Sequence, residues 1–110
     1  MNLKLEGKNV IITGGSDGIG KETARIMAEE GANVIIFARN IENLNNTKDS
    51  IKGITGKEVD TYSVDVKNEK NVKETVAKVV EKYGNIDILV NNAGTSSAHP
   101  IMNITDEIMN

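Results

Sequence analysis

Short apolar runs, rich in β-branched residues, alternate along this chain with longer stretches in which apolar residues recur every three or four positions. The short runs are typical of strands buried on both faces of a parallel sheet, and the longer stretches are typical of amphipathic helices. The predicted strands are Asn9–Thr13, Asn33–Ala38, Glu58–Val66 and Ile86–Val90.

Three helices are predicted between those strands. The first is predicted over Gly18–Glu30 and stops at Gly31, since glycine readily ends a helix. One face of it carries Ile19, Thr23, Ile26 and Met27. The second helix is predicted from residues at helical spacing, Ile41, Leu44, Lys48 and Ile51. The third helix, which ends at Gly84, is predicted from the apolar stripe of Val72, Val76, Val79, Val80 and Tyr83. Beyond the fourth strand, Thr95–Asn103 is predicted to be a loop, and Thr105 to cap a last helix from Asp106.

This alternation predicts an α/β fold, in which a parallel sheet carries helices on both faces. Because crossovers between parallel strands are right-handed, a doubly wound sheet with strand order 3-2-1-4 is favoured. The first and fourth strands then lie side by side, and their connections leave in opposite directions. Ligands of open α/β sheets bind at such a point.

Composition narrows the classes of protein that remain. The 110 residues suffice for one domain, and a formal net charge of −3 indicates no basic surface for nucleic acid or an anionic membrane. The chain has no cysteine and a single histidine, His99, so we expect neither disulfides nor a metal site. There is no apolar stretch of membrane-spanning length and no signal peptide, so a cytoplasmic location is expected.

The strongest chemical signal is the segment Thr13–Gly20, with the pattern T-G-x-x-x-G-x-G between the first strand and the first helix. A pyrophosphate needs backbone N–H groups, a helix N-terminus and no Cβ in the way. Gly14 lets the chain turn off the strand, Gly18 allows close approach to phosphate, and Gly20 lets the helix pack tightly on the sheet. The alternative is a glycine-rich turn with a structural role only.

A second unusual segment, Asn91–Gly94 (Asn-Asn-Ala-Gly), ends the fourth strand. On its own it would more often be an ordinary turn. In the predicted strand order it lies beside the glycine loop, so both segments face one crevice.

The glycine loop, the Asp65-Val66 pair and Asn91–Gly94 together resemble the N-terminal half of the short-chain dehydrogenase/reductase family. The resemblance covers essentially the whole chain. It implies a Rossmann-like fold, truncated so that residues 1–110 form the nucleotide-binding half of the domain and the catalytic C-terminal half lies outside this sequence. It also implies that Thr13 ties the first strand to the Asn-Asn-Ala-Gly turn and that Asn91 braces the sheet.

The resemblance implies a role for each cofactor contact. The glycine loop would line the pyrophosphate and adjoining ribose, Asp65 would accept from the adenine amino group, and Asn91–Gly94 would line the nicotinamide side. Asp65 could instead be a carboxylate at a helix N-terminus. The candidate cofactor-binding residues are Gly14, Ser16, Asp17, Gly18, Ile19, Gly20, Arg39, Asp65, Val66, Asn92, Ala93 and Gly94.

The choice of cofactor depends on the end of the second strand, where Arg39 stands and no acid is present. An acid there binds the ribose 2′-hydroxyl of NAD, whereas an arginine accommodates the 2′-phosphate of NADP. We therefore expect NADP(H) rather than NAD(H). Asp17 argues the other way, because many NADP-preferring relatives carry a basic residue there. Arg39 could also be a solvated residue that opens the second helix.

No catalytic residue is assigned. The family transfers a proton through a serine and a tyrosine with a lysine four residues on, but Val66 stands four residues after Tyr62 and Asp87 four after Tyr83. The resemblance implies an NAD(P)-dependent oxidoreductase that moves hydride between nicotinamide and a small carbonyl or alcohol, like 3-oxoacyl or keto-lipid reductases. We expect this part of it to bind cofactor without turnover; the alternative is a standalone nucleotide-binding module without catalysis.

The fourth strand is expected to be an edge of the sheet, and Val72, Val76 or Val80 to be partly bare. Open strand edges and apolar patches promote association. A homo-oligomer is therefore expected.

Overall fold

A computed structural model describes residues 4–14 and 18–92 of the chain. The predicted loop Thr95–Asn103 and the helix predicted after Thr105 lie outside these residues. Within them the elements are β1 (Asn9–Thr13), α1 (Gly18–Glu29), β2 (Asn33–Ala38), α2 (Ile41–Thr55), β3 (Asp60–Ser63), α3 (Glu69–Tyr83) and β4 (Ile88–Asn91).

The four strands form one parallel sheet in the order β3-β2-β1-β4, which confirms the predicted topology. Thr13 lies opposite Phe37 of β2 on one side and Asn91 of β4 on the other. All four strands run the same way, so their carboxyl ends lie along one edge of the sheet. The residues that follow the strands are therefore gathered at that edge, which we call the carboxyl edge.

Apolar side chains alternate between the two faces of the sheet and bury both of them. Val10 and Ile12 of β1 join a core cluster with residues of α1 and α2, whereas Ile11 joins a second cluster with residues of α3. Helices thus cover both faces, as the doubly wound pattern requires. Of the three α3 valines of which one or more were expected to be partly bare, Val80 is only partly buried, as predicted, whereas Val72 and Val76 are fully buried because they pack on the sheet itself.

The burial of α1 differs from the apolar pattern of its sequence. Its buried residues are Gly20, Ala24 and Ala28, while the Ile19 side chain is 80% exposed. Small side chains bring the helix backbone close to the sheet, and this tight packing decides which face turns inward. Of the residues predicted to share one face, Met27 packs against the core but is only partly buried.

Two strands are shorter than the sequence indicates. β3 has four residues, because it pairs only with the end of β2; the flanking Val59 and Val64 are buried without belonging to the strand. β4 begins at Ile88, and the buried Ile86 precedes it. Both predicted strands were too long because they included buried apolar residues that flank the paired segment. Apolar β-branched residues are favoured by burial as well as by strand pairing, so the sequence does not separate the two. Among residues 4–14 and 18–92, no helix has the length and apolar character needed to cross a membrane.

Candidate functional site

Each strand delivers a sequence-predicted residue to the carboxyl edge. Gly14 follows β1, Arg39 follows β2, Asp65 lies two residues beyond β3, and Asn92 follows β4. The edge also receives the start of α1 at Gly18. The fold therefore brings the predicted phosphate, ribose, adenine and nicotinamide contacts to one side of the sheet.

Two glycines flank the turn from β1 into α1. Gly14 has a φ of +68° and Gly18 a φ of +48°, a backbone region that residues with a Cβ rarely adopt. The Gly14 N–H donates to the Phe37 carbonyl at 2.9 Å, so Gly14 continues the pairing with β2 before the chain turns. A Cβ at Gly18 would meet no atom within 4 Å in the described structure.

The ends of β1 and β4 are joined by side chain and backbone together. The Thr13 hydroxyl donates to Asn91 Oδ1 at 2.9 Å, and the Asn92 N–H donates to the Thr13 carbonyl at 3.1 Å. The implied tie between Thr13 and the Asn-Asn-Ala-Gly segment is therefore confirmed. Asn92 Nδ2 is buried and has no hydrogen-bond partner among the residues that the structure describes. A buried amide group without a partner is costly, so a ligand oxygen would be a favourable neighbour there.

Asp65 lies outside helix α3, whose N-cap is Asn68. Its Oδ1 accepts the Lys67 N–H at 3.0 Å, which makes a local turn rather than a cap. The Asp65 N–H donates to Asn71 Oδ1 at 2.9 Å. Both backbone and side chain of Asp65 are thus held, and the residue is only partly buried.

Arg39 is exposed directly before Asn40, the N-cap of α2. Its carbonyl accepts the Ser63 hydroxyl at 2.8 Å, so its backbone is tied to the end of β3. This position suits a cation that meets a bound anion at the rim of the site, and it equally suits a solvated residue that opens the second helix.

Four predicted site residues, Ser16, Asp17, Ala93 and Gly94, lie outside the described residues. Sequence reasoning missed two others, Ser63 and Asn71, which hold the backbones of Arg39 and Asp65. An Asn-x-x-Asn spacing at the start of α3 is a signal that could have pointed to Asn71, since it resembles a capping box.

One cluster of groups with shifted pKa values, formed by Asp60, Lys82 and Tyr83, lies at the opposite edge of the sheet, where β3 begins. Burial alone would raise the pKa of the Asp60 carboxyl, but Lys82 Nζ and the Tyr83 hydroxyl, each 2.9 Å from Oδ2, outweigh it and lower that pKa. Burial, followed by the bond to Asp60, raises the pKa of Tyr83. This cluster fastens the end of α3 to the start of β3 and does not face the carboxyl edge.

The family model for short chain dehydrogenases matches residues 8–110. The chain therefore belongs to the short-chain dehydrogenase/reductase family.

Three known proteins show what the chain is similar to. It is 44% identical over 105 residues to a 3-oxoacyl-(acyl-carrier-protein) reductase of Thermotoga maritima, across 96% of this chain and 42% of that protein. The L-sorbose reductase of Gluconobacter frateurii, solved with NADPH and L-sorbose, matches with 40% identity and a TM-score of 0.78 over 86% of this chain and 36% of that one. A NAD+-bound xylitol dehydrogenase matches with 29% identity and a TM-score of 0.86, over 94% and 50%. The chain thus spans half or less of the length of these relatives.

Proposed function

We propose that this chain binds a nicotinamide dinucleotide along the carboxyl edge of its sheet, as the nucleotide-binding half of a short-chain dehydrogenase/reductase domain. The observation that carries the proposal is that Gly18 and Asn92 follow the adjacent strands β1 and β4, while Asp65 follows β3 along the same edge. Parallel α/β sheets bind their ligands at such a junction.

The residues present fit the chemistry of the cofactor. The positive-φ glycines at the α1 start would leave room for the pyrophosphate, whose charge the helix N-terminus favours. The Asp65 carboxylate would accept from the adenine amino group, next to the Val66 backbone. Asn92 Nδ2, buried without a described partner, would donate to an oxygen of the cofactor. Ile19, highly exposed at the start of α1, would cover part of it.

For the choice of cofactor, we propose NADP(H) over NAD(H). The exposed Arg39 supports this, since it follows β2 where the adenosine ribose would lie and can meet a 2′-phosphate. The known relatives include proteins bound to NADPH and to NAD+, so the preference of this chain depends on its own residues.

The complete enzyme would transfer hydride between the nicotinamide and a carbonyl or alcohol. The 44% sequence identity to a 3-oxoacyl-(acyl-carrier-protein) reductase supports a substrate of the 3-oxoacyl or keto-lipid type. Residues 1–110 contain no tyrosine with a lysine four positions on, so we propose that this chain binds cofactor without turning over substrate. A standalone nucleotide-binding module remains the alternative for the chain by itself. We further propose a cytoplasmic location.

A matched pair of glycines tests cofactor binding. Gly18 and Gly56 both have positive φ, and a Cβ at either would meet nothing within 4 Å, but Gly56 caps α2 at the opposite edge of the sheet. Alanine at either position costs about 1 kcal/mol of stability. In a fluorescence titration with NADPH, Gly18→Ala should weaken binding at least tenfold and Gly56→Ala should not. A tenfold loss of affinity corresponds to about 1.4 kcal/mol of binding free energy. Equal affinities for both variants would contradict the proposed site.

We also propose self-association of the chain. β4 is the last of the four described strands in the sheet, and its residues are only partly buried. Light scattering over a concentration series tests this, and a monodisperse monomer at high concentration would contradict it.

A further inference from the structure

The start of α3 has an unusual arrangement of two asparagines. Asn68, the N-cap, accepts the Asn71 N–H on its Oδ1 at 3.0 Å, as N-caps commonly do. In a capping box, the side chain at the Asn71 position would return this bond to the N-cap N–H. Here the Asn68 N–H donates instead to the Asp65 carbonyl at 2.9 Å. The Asn71 side chain reaches past the cap and accepts the Asp65 N–H at 2.9 Å.

The bond from the Asp65 N–H to Asn71 Oδ1 follows directly after the last hydrogen bond between the β3 side of the chain and β2. The Val64 N–H still donates to the Ala38 carbonyl at 2.8 Å, and the next N–H along the chain, that of Asp65, turns to Asn71. Asn71 therefore binds the first backbone N–H beyond β3 that no longer pairs with β2. The Asp65 N–H and carbonyl are held from the start of α3, and its Oδ1 accepts the Lys67 N–H, so the backbone and one carboxylate oxygen of Asp65 are fixed in place.

We propose that Asn71 is a positioning residue for recognition of the adenine ring, acting through Asp65. The inference rests on the proposed function, in which the Asp65 carboxylate accepts from the adenine amino group. Asn71 itself touches no cofactor in this scheme. It holds the carboxylate in the direction from which an amino group can reach it.

The chain contains its own control at α2. Asn43 occupies the same position relative to N-cap Asn40, and its N–H donates to Asn40 Oδ1 at 2.9 Å, but its side chain is exposed. Asn71→Leu removes the acceptor with little change of size, Asn71→Asp keeps an acceptor oxygen, and Asn43→Leu makes the same substitution in the other helix.

The readout is discrimination between NADPH and its hypoxanthine analogue, in which an exocyclic carbonyl oxygen replaces the adenine amino group. A hydrogen bond to a charged group corresponds to roughly a tenfold preference or more, so the unmodified chain should favour NADPH by about that factor. Asn71→Leu should reduce this preference at least about threefold, whereas Asn71→Asp and Asn43→Leu should leave it within about twofold. A purely structural role would change the unfolding midpoint without changing the ratio of the two affinities.

The outcomes separate the two proposals. If the unmodified chain binds neither nucleotide, or binds both equally, the proposed adenine contact fails. If it discriminates and Asn71→Leu discriminates equally well, the contact stands and the role of Asn71 is overturned. Loss of discrimination in Asn43→Leu as well would also overturn it, since any helix-start asparagine would then have the same effect.

Discussion

The hydroxyl of Thr13 donates to Asn91 Oδ1 at 2.9 Å and so joins two strand ends that lie 78 positions apart in the sequence. Thr13 is fully buried in β1, and Asn91 is the last residue of β4. The bond fixes the end of β1 against the end of β4.

A double-mutant cycle of Thr13→Val and Asn91→Leu measures that bond. A net hydrogen bond contributes about 0.5–1.5 kcal/mol, so the two substitutions should be coupled by about 1 kcal/mol in the free energy of urea unfolding. Thr13→Ser keeps the hydroxyl and should keep the coupling. Strictly additive effects would show that the bond does not stabilise the junction.

Arg39→Asp should reverse the cofactor preference. It removes a cation that can meet the 2′-phosphate and places a carboxylate that can accept the ribose 2′-hydroxyl. The affinity for NADPH relative to NADH should fall by about 1–3 kcal/mol, the scale of a charge-assisted hydrogen bond. Titration with both nucleotides measures the ratio.

The control is Lys57→Asp, which makes the same change of charge at an exposed position before β3, at the other edge of the sheet. It should leave the ratio unchanged, because screening in physiological salt limits such effects to about 8 Å. An unaltered preference in Arg39→Asp would remove Arg39 from the site.

Residues 1–110 should bind NADPH without oxidising it. The reaction needs a proton donor at the substrate oxygen, and neither Tyr62 nor Tyr83 is followed four residues later by a lysine. NADPH absorbance is to be followed with a panel of ketones, including a 3-oxoacyl thioester, under single-turnover conditions. Oxidation clearly above the rate in buffer would mean that another group of the chain supplies the proton.

Asp60 should give the chain an acid-sensitive contribution to stability. Its pKa in the folded state lies below the ordinary 3.8, since the bonds from Lys82 and Tyr83 outweigh burial. The folded state thus holds the proton less tightly than the unfolded state does. The stabilisation is present above pH 3.8 and is lost as the pH falls through the folded pKa.

Urea unfolding at about pH 6 and about pH 3 tests this. Asp60→Asn should lower the free energy of unfolding at the higher pH and reduce the difference between the two conditions. Asp49→Asn, at an exposed position of α2, removes the same charge and serves as control. An equal pH dependence in Asp60→Asn and the unmodified chain would show that the Lys82–Tyr83 cluster does not hold the carboxylate.

The sequence alone determined the kind of fold and the edge of the sheet at which the described candidate residues lie. β1 and β2 carry dense β-branched runs, and their predicted bounds agree with the structure. The strand order followed from the right-handed crossover, which depends on chain geometry and needs no knowledge of side chains. Once that order was known, the residues after each strand had to share one edge, so Gly14, Arg39 and Asp65 could be placed there.

The tertiary structure decided what depends on a partner distant in sequence. The packing of Ala24 and Ala28 on the sheet decided which face of α1 is buried. These small side chains let the helix backbone approach the sheet closely, and this outweighs the burial of the apolar Ile19 side chain. The length of β3 was settled by how much of β2 was available to pair with it. The bond from Asp65 to Asn71 exists because β3 stops there and leaves an N–H to be satisfied, and where a strand stops is not encoded in the strand itself.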